Sequence, residues 1–114
     1  MPYNFEDYIH DFKIKAACER YFEKIIEASI DLTFLIIKDR KFKIPEDDRE
    51  AFDILAKEGV INDELADRLK DAKGMRNIIA HQYGNVDDKV VFISITKELV
   101  NDVNKFLNNI KSSK

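Results

Sequence analysis

Between Ile14 and Ile37, apolar side chains fall at Ile14, Cys18, Tyr21, Ile25, Ala28, Leu32 and Leu35, alternating steps of four and three. That is the period of a single helical seam. A second line, Phe22, Ile26 and Ile36, runs beside it. The helix is therefore expected to bury two faces, with part of the surplus available to a partner or a second subunit. A charged connector, Lys38 to Lys43, follows. Pro45 suits the first turn of a new helix, and Glu46, Asp47 and Asp48 are favourable at its positive end. That helix carries Phe52, Ile54 and Leu55 and stops at Gly59, a natural C-terminal cap.

Asn62 then caps a helix running through Leu65 and Leu69 towards His81. Gly74 interrupts it, costing about 1 kcal/mol against alanine and permitting a kink. Gly84-Asn85 signals a turn. Local propensity favours a strand over Val90–Ile95. Yet Ile95, Leu99, Val103, Phe106 and Ile110 continue at helical steps, and no second strand is available to pair with it. The last element is therefore predicted as a helix, and the whole as an all-α bundle of four or five helices.

The 114 residues are the size of one domain with one core. With 45% hydrophobic and 36% charged residues, the chain is globular and not disordered. Cys18 is the only cysteine, which excludes an internal disulfide and fits a reducing compartment. Its place in an apolar stripe makes it a buried structural thiol. No run of apolar residues is long enough to span a bilayer and the N-terminus lacks the features of a signal peptide, so a cytoplasmic setting is expected. The net charge of −3 argues against a general nucleic-acid coat, and no DNA-binding role is expected. His10 and His81 lie far apart and no Cys/His cluster has ligand spacing, so neither a metal site nor a cofactor is expected.

The candidate chemistry lies in Met75-Arg76-Asn77-Ile78-Ile79-Ala80-His81-Gln82-Tyr83. On a helical wheel at about 100° per residue, Arg76, Asn77, His81 and Tyr83 share one half, opposite Met75, Ile78, Ile79 and Gln82. Arg76 and His81 are themselves about 140° apart. They could converge on one substrate only through the long arginine side chain, a break in the helix, or a second subunit. Arg76 offers a permanently charged fork suited to phosphate. His81 can move protons near neutral pH. RNA cleavage without a metal needs a base for the 2′-hydroxyl, an acid for the 5′-oxygen and a cation for the charge that develops on phosphorus. One histidine cannot be base and acid at once, whereas two across a two-fold axis could, which points to a homodimer. Lys70 and Lys73 precede Arg76 at steps of three and could extend a basic patch, although a solvated charge run explains them as well.

The stretch "RNIIAHQYGNVDD" resembles the Arg-Asn-x3-His-x-Tyr…Asp signature of HEPN-domain toxins. More narrowly, it is similar to the HepT-like branch, encoded beside a minimal nucleotidyltransferase (MNT) antitoxin. The likeness extends to "ERYFEKIIEASIDLTFLII" and "IPEDDREAFDILAKEGVINDELADRLKDAKGMRN", and covers about Cys18 to Ile110. It implies an up-and-down helical bundle that dimerises around a shared cleft, and a metal-independent endoribonuclease acting as a toxin. Arg76 and His81 match the family's catalytic pair, and Asn77 the polar residue after the arginine. Tyr83 matches the tyrosine that the partner modifies with AMP from ATP. Asp87 matches a frequent acidic position without an assigned role. Relatives usually carry one further N-terminal helix, where only Met1 to Lys13 stands here. The alternative is a non-catalytic subunit that binds the nucleotidyltransferase through Phe22, Ile26 and Ile36. A third reading is a helical oligomerisation domain with a coincidental motif.

Overall fold

The computed structural model describes residues 4–81 and 88–113. Its elements are α1 (Phe5–His10), α2 (Phe12–Asp39), α3 (Asp48–Lys57), α4 (Asp63–His81), α5 (Asp88–Ile93), a π-helical turn over Ser94–Glu98, and α6 (Leu99–Ser112). Backbone angles stay helical from Ile93 through Leu99, so α5, the wide turn and α6 form one rod. There are thus five helical rods and no strand among the described residues, as the helical periodicity predicts. The run at Val90–Ile95 is helical, and its Phe92 packs on α1, the ring lying 5.2 Å from Tyr8 and 5.6 Å from Phe5.

The helix ends follow local chemistry. Asn4 Oδ1 accepts from the Asp7 N–H at 2.8 Å, which starts α1, the short helix formed within Met1 to Lys13. Asp11 Oδ1 accepts from the Lys13 and Ile14 N–H groups at 2.9 and 3.3 Å, which starts α2. The 28 residues of α2 rise about 42 Å, close to the 46 Å long axis of the molecule. Lys41, at φ 58°, reverses the chain, and the Phe42 N–H closes back on the Ile37 carbonyl at 2.9 Å. Gly59, at φ 76°, does the same for α3, with the Val60 N–H on the Leu55 carbonyl at 2.9 Å. Pro45 does not open α3. Asp47 caps it instead, accepting from the Glu50 N–H at 2.8 Å, because a side-chain acceptor satisfies a free N–H that proline only omits.

Ion pairs fix the order of the rods. Asp53 and Asp48 on α3 face Lys70 and Lys73 on α4, which makes the two antiparallel. Arg68 on α4 faces Asp102 on α6, and Arg40 at the end of α2 donates to the Ser113 carbonyl. The three long rods therefore alternate in direction. The core between them holds Phe22, Ile26, Phe52, Leu55, Leu69 and Phe106, each at most 1% exposed.

The second line on α2 is buried more fully than the sequence reading expects. Phe22, Ile26 and Ile36 are buried inside this chain, so they are not the partner-binding surplus. The seam is divided: Tyr21, Ala28 and Leu35 face solvent, Tyr21 at 50% and Leu35 at 63% exposure, while Cys18 is buried and Ile14, Ile25 and Leu32 pack against the core. Cys18 is buried, and burial pushes its thiol pKa up. None of the described helices is long and apolar enough to cross a membrane.

Candidate active site

Asn62 Oδ1 accepts from the Leu65 N–H at 2.7 Å and starts α4, as its residue type predicts. From Asp63 the helix continues without a break through Gly74 to His81. The kink that Gly74 would permit is not used, so α4 delivers Arg76 and His81 on one rigid rod. Of the three routes to convergence, a helix break between the pair is thereby removed.

Met75 packs against the core and fixes the roll of α4 at this level. Arg76, the next residue, leaves the core at its edge, with 23% of its side chain exposed. Its Nη2 donates to Asn77 Oδ1 at 3.1 Å. Its Nη1 lies 3.8 Å from Glu27 Oε1 on α2, and that carboxylate is half exposed. Arg76 Nε is buried without a hydrogen-bond partner among the described residues. A buried donor in that state costs about 1–3 kcal/mol, and an acceptor arriving from solvent meets the exposed part of the side chain rather than Nε. His81 is the last residue of α4 by its backbone, and its side chain lies outside the description. Tyr83, Asp87 and the Gly84-Asn85 turn lie outside the described residues altogether.

The basic patch suggested by Lys70 and Lys73 does not form. Lys70 Nζ sits 2.7 Å from Asp53 and 3.2 Å from Asp67, and Lys73 Nζ 4.0 Å from Asp48. The bond to Asp53 is the main reason the Lys70 pKa is raised. These cations bind α3 to α4 and leave Arg76 as the cation of the motif. Sequence reasoning passed over Glu27, which nothing in the local pattern marks, since its approach to Arg76 exists only once α2 and α4 pack.

Next to Met75, between α4 and the π-helical turn, lies a cavity of about 230 Å³ whose wall includes Arg68, Asp71, Ser94, Glu98 and Asp102. With three carboxylates to one guanidinium it repels anions such as phosphate. Asp102 is 5% exposed, and burial, partly offset by Arg68, raises its pKa. No group of three His, Cys, Asp or Glu side chains suited to a metal occurs among the described residues. His10 is exposed, 3.2 Å from Glu6.

The family described as Ribonuclease HepT-like matches residues 1–110. An mRNA nuclease HepT of Shewanella oneidensis is 28% identical over 102 residues, which span 90% of this chain and 76% of that protein. A tRNA nuclease HepT of Aphanizomenon flos-aquae is 30% identical over 108 residues, 90% of this chain and 74% of that one. An Archaeoglobus fulgidus relative is 36% identical over 70 residues; the match spans 61% of this chain and about half, 52%, of that relative. Among solved structures, the tri-AMPylated Shewanella oneidensis HEPN toxin in complex with its MNT antitoxin superposes with a TM-score of 0.87 at 28% identity, covering 94% of this chain and 80% of that one.

Proposed function

The chain belongs to the Ribonuclease HepT-like family, and from that premise we propose that it is the RNA-cleaving toxin of a toxin–antitoxin pair, acting in the cytoplasm without a metal ion. The observation that carries this reading is Arg76: a guanidinium at the core's edge, with 23% of its side chain exposed, one fork nitrogen on Asn77 and the other 3.8 Å from the half-exposed Glu27 carboxylate. It stands on the same unbroken helix as His81. A phosphodiester seated on that fork would be bound by a charge-assisted donor that remains charged at every working pH.

The step is an in-line transfer at phosphorus. The 2′-oxygen attacks the adjacent phosphorus as a base takes its proton. The bond to the 5′-oxygen breaks, that oxygen takes a proton from an acid, and a 2′,3′-cyclic phosphate remains. Arg76 offsets the charge that builds on the non-bridging oxygens. His81 of one copy serves as base and His81 of the other as acid, since a single imidazole cannot hold both protonation states together. On a continuous α4 the two residues stand about 140° apart, and the Arg76 fork turns towards α2. A second copy is therefore the simplest route to a complete site.

Control by the partner follows from the same electrostatics. A minimal nucleotidyltransferase antitoxin transfers AMP from ATP to the Tyr83 hydroxyl: the phenol oxygen, losing its proton, bonds to the α-phosphorus, and the bond to the β-phosphate breaks to release pyrophosphate. That places a phosphodiester two residues beyond His81, where it competes for the Arg76 charge and blocks RNA. Mass spectrometry that finds no AMP on Tyr83 after incubation with a competent partner and ATP would sink this part.

Cleavage is tested with purified protein and its His81→Ala variant on mixed RNA in EDTA, reading the fragment ends. Cyclic phosphate ends from the unaltered chain alone support the reading. Absence of cleavage by folded protein free of AMP on Tyr83 would return the chain to the binding-subunit alternative. That alternative has lost its structural argument, because Phe22, Ile26 and Ile36 are internal.

A further inference from the structure

The cavity of about 230 Å³ between α4 and the π-helical turn combines two chemistries. Phe22, Ala72, Met75 and Leu99 make part of its wall apolar, while Asp71, Glu98 and Asp102 bring carboxylates to it. The carboxylates differ in depth: Asp71 and Glu98 are exposed, whereas Asp102 is only 5% exposed. Asp102 Oδ1 is buried without a hydrogen-bond partner among the described residues. Arg68 Nε faces it from 3.6 Å, too far to donate. A buried carboxylate oxygen in this state is costly until a donor reaches it.

We propose that this cavity binds a linear aliphatic diamine, one ammonium on Asp102, the methylenes along Ala72, Met75 and Leu99, and the other ammonium on Asp71 and Glu98. The site is separate from RNA cleavage and does not depend on it. Three carboxylates less one guanidinium leave a wall charge of −2, which a diamine neutralises. Glu64 and Lys105, the other charges that act on Asp102, add one of each sign and leave that balance unchanged. Glu98 precedes Asp102 by four residues on the same rod. The two anionic ends are thus about one helical turn apart, about 5.4 Å, a span that a chain of about four methylenes bridges.

A diamine suits these walls better than a metal ion does. No group of three His, Cys, Asp or Glu side chains suited to a metal occurs among the described residues. Carboxylates spread along a groove instead match charges held apart on a chain. An ammonium also supplies the N–H donor that Asp102 Oδ1 lacks. Its methylene stem gains by leaving water for the apolar part of the wall. Burial raises the Asp102 pKa, and a cation against the carboxylate offsets the cost of that charge.

The test is isothermal titration calorimetry of the purified full chain with 1,4-diaminobutane, with Tm followed alongside. One diamine per chain should bind and raise Tm. Asp102→Asn keeps the side-chain shape and removes the charge, so it should weaken binding at least about tenfold, the scale of one charge-assisted hydrogen bond. Glu98→Gln, at the exposed mouth where the fold is not at stake, should weaken it severalfold. Asp31→Asn, which removes an exposed carboxylate on α2, should leave it unchanged. Butylamine, with a single charge, should bind at least about tenfold more weakly than the diamine. Absence of both binding heat and a Tm rise would overturn the proposal, as would equal weakening by Asp31→Asn and Asp102→Asn, which would mean attraction to surface charge alone. Displacement of the diamine by an equimolar amount of magnesium chloride would overturn it in favour of a metal ion.

Discussion

Glu27→Gln isolates the electrostatics of the proposed site. In the structure the Glu27 carboxylate stands 3.8 Å from Arg76 Nη1, beyond hydrogen-bond reach, and is half exposed to water. It therefore attracts the guanidinium without fixing its direction, a task left to Asn77 at 3.1 Å. Screened by solvent, such a pair is worth about 0.2–1 kcal/mol, and its loss should leave fold stability nearly unchanged. For RNA the sign reverses: the carboxylate competes with phosphate for the fork and repels it directly. Removing the charge should tighten RNA binding by about 0.5–1 kcal/mol, or about two- to fivefold. The assay is fluorescence anisotropy with a short labelled RNA, comparing His81→Ala with His81→Ala/Glu27→Gln so that the probe is not cut. The gain should shrink as salt rises, since half-exposed charges are screened. Weaker binding after Glu27→Gln would refute the reasoning, because it would mean that the carboxylate orients Arg76.

Three further outcomes follow from burial and backbone. Phe106 is fully buried, edge-on to Phe52 at 6.4 Å, so Phe106→Ala should cost about 3–5 kcal/mol in urea unfolding, a large part of the about 5–15 kcal/mol that holds a domain. At Gly74 a Cβ would meet nothing within 4 Å and the backbone is already helical. Gly74→Ala should therefore add about 0.5–1 kcal/mol, read as a higher Tm. The raised pKa of Asp102 means that the fold bears an unfavourable charge at neutral pH, a cost absent below the usual aspartate range, growing as pH rises from there to the raised value, and constant above it. Asp102→Asn should accordingly gain stability at pH 7, and the gain should shrink towards pH 4; equal gains at both pH values would contradict it.

How much of this was legible beforehand varies by element. Caps were readable because they are short-range: Asn62 and Gly59 act within a few residues of themselves. Pro45 misled because two start signals stood close together, and the hydrogen-bonding side chain of Asp47 prevailed. At Val90–Ile95, helical spacing outweighed β propensity because on one helical rod Val91, Leu99 and Phe106 reach the same core. Arg76, Asn77 and His81 could be singled out as residue types in a spacing that fits phosphate chemistry. Their geometry could not, since it depends on Glu27, 49 positions away by the numbering, and on a helix that runs through Gly74.

By itself the sequence determined that the chain is helical, roughly where each helix begins and ends, and which residues can handle a phosphate and a proton. These are consequences of period, capping and side-chain chemistry, all local. Which side of α2 faces inward was decided only by tertiary packing. Two apolar lines with the same helical spacing are equivalent until α4 and α6 close more fully over one of them. The fold covered Phe22, Ile26 and Ile36 and left Tyr21, Ala28 and Leu35 in water, because burial is a property of neighbours that α2 does not encode alone.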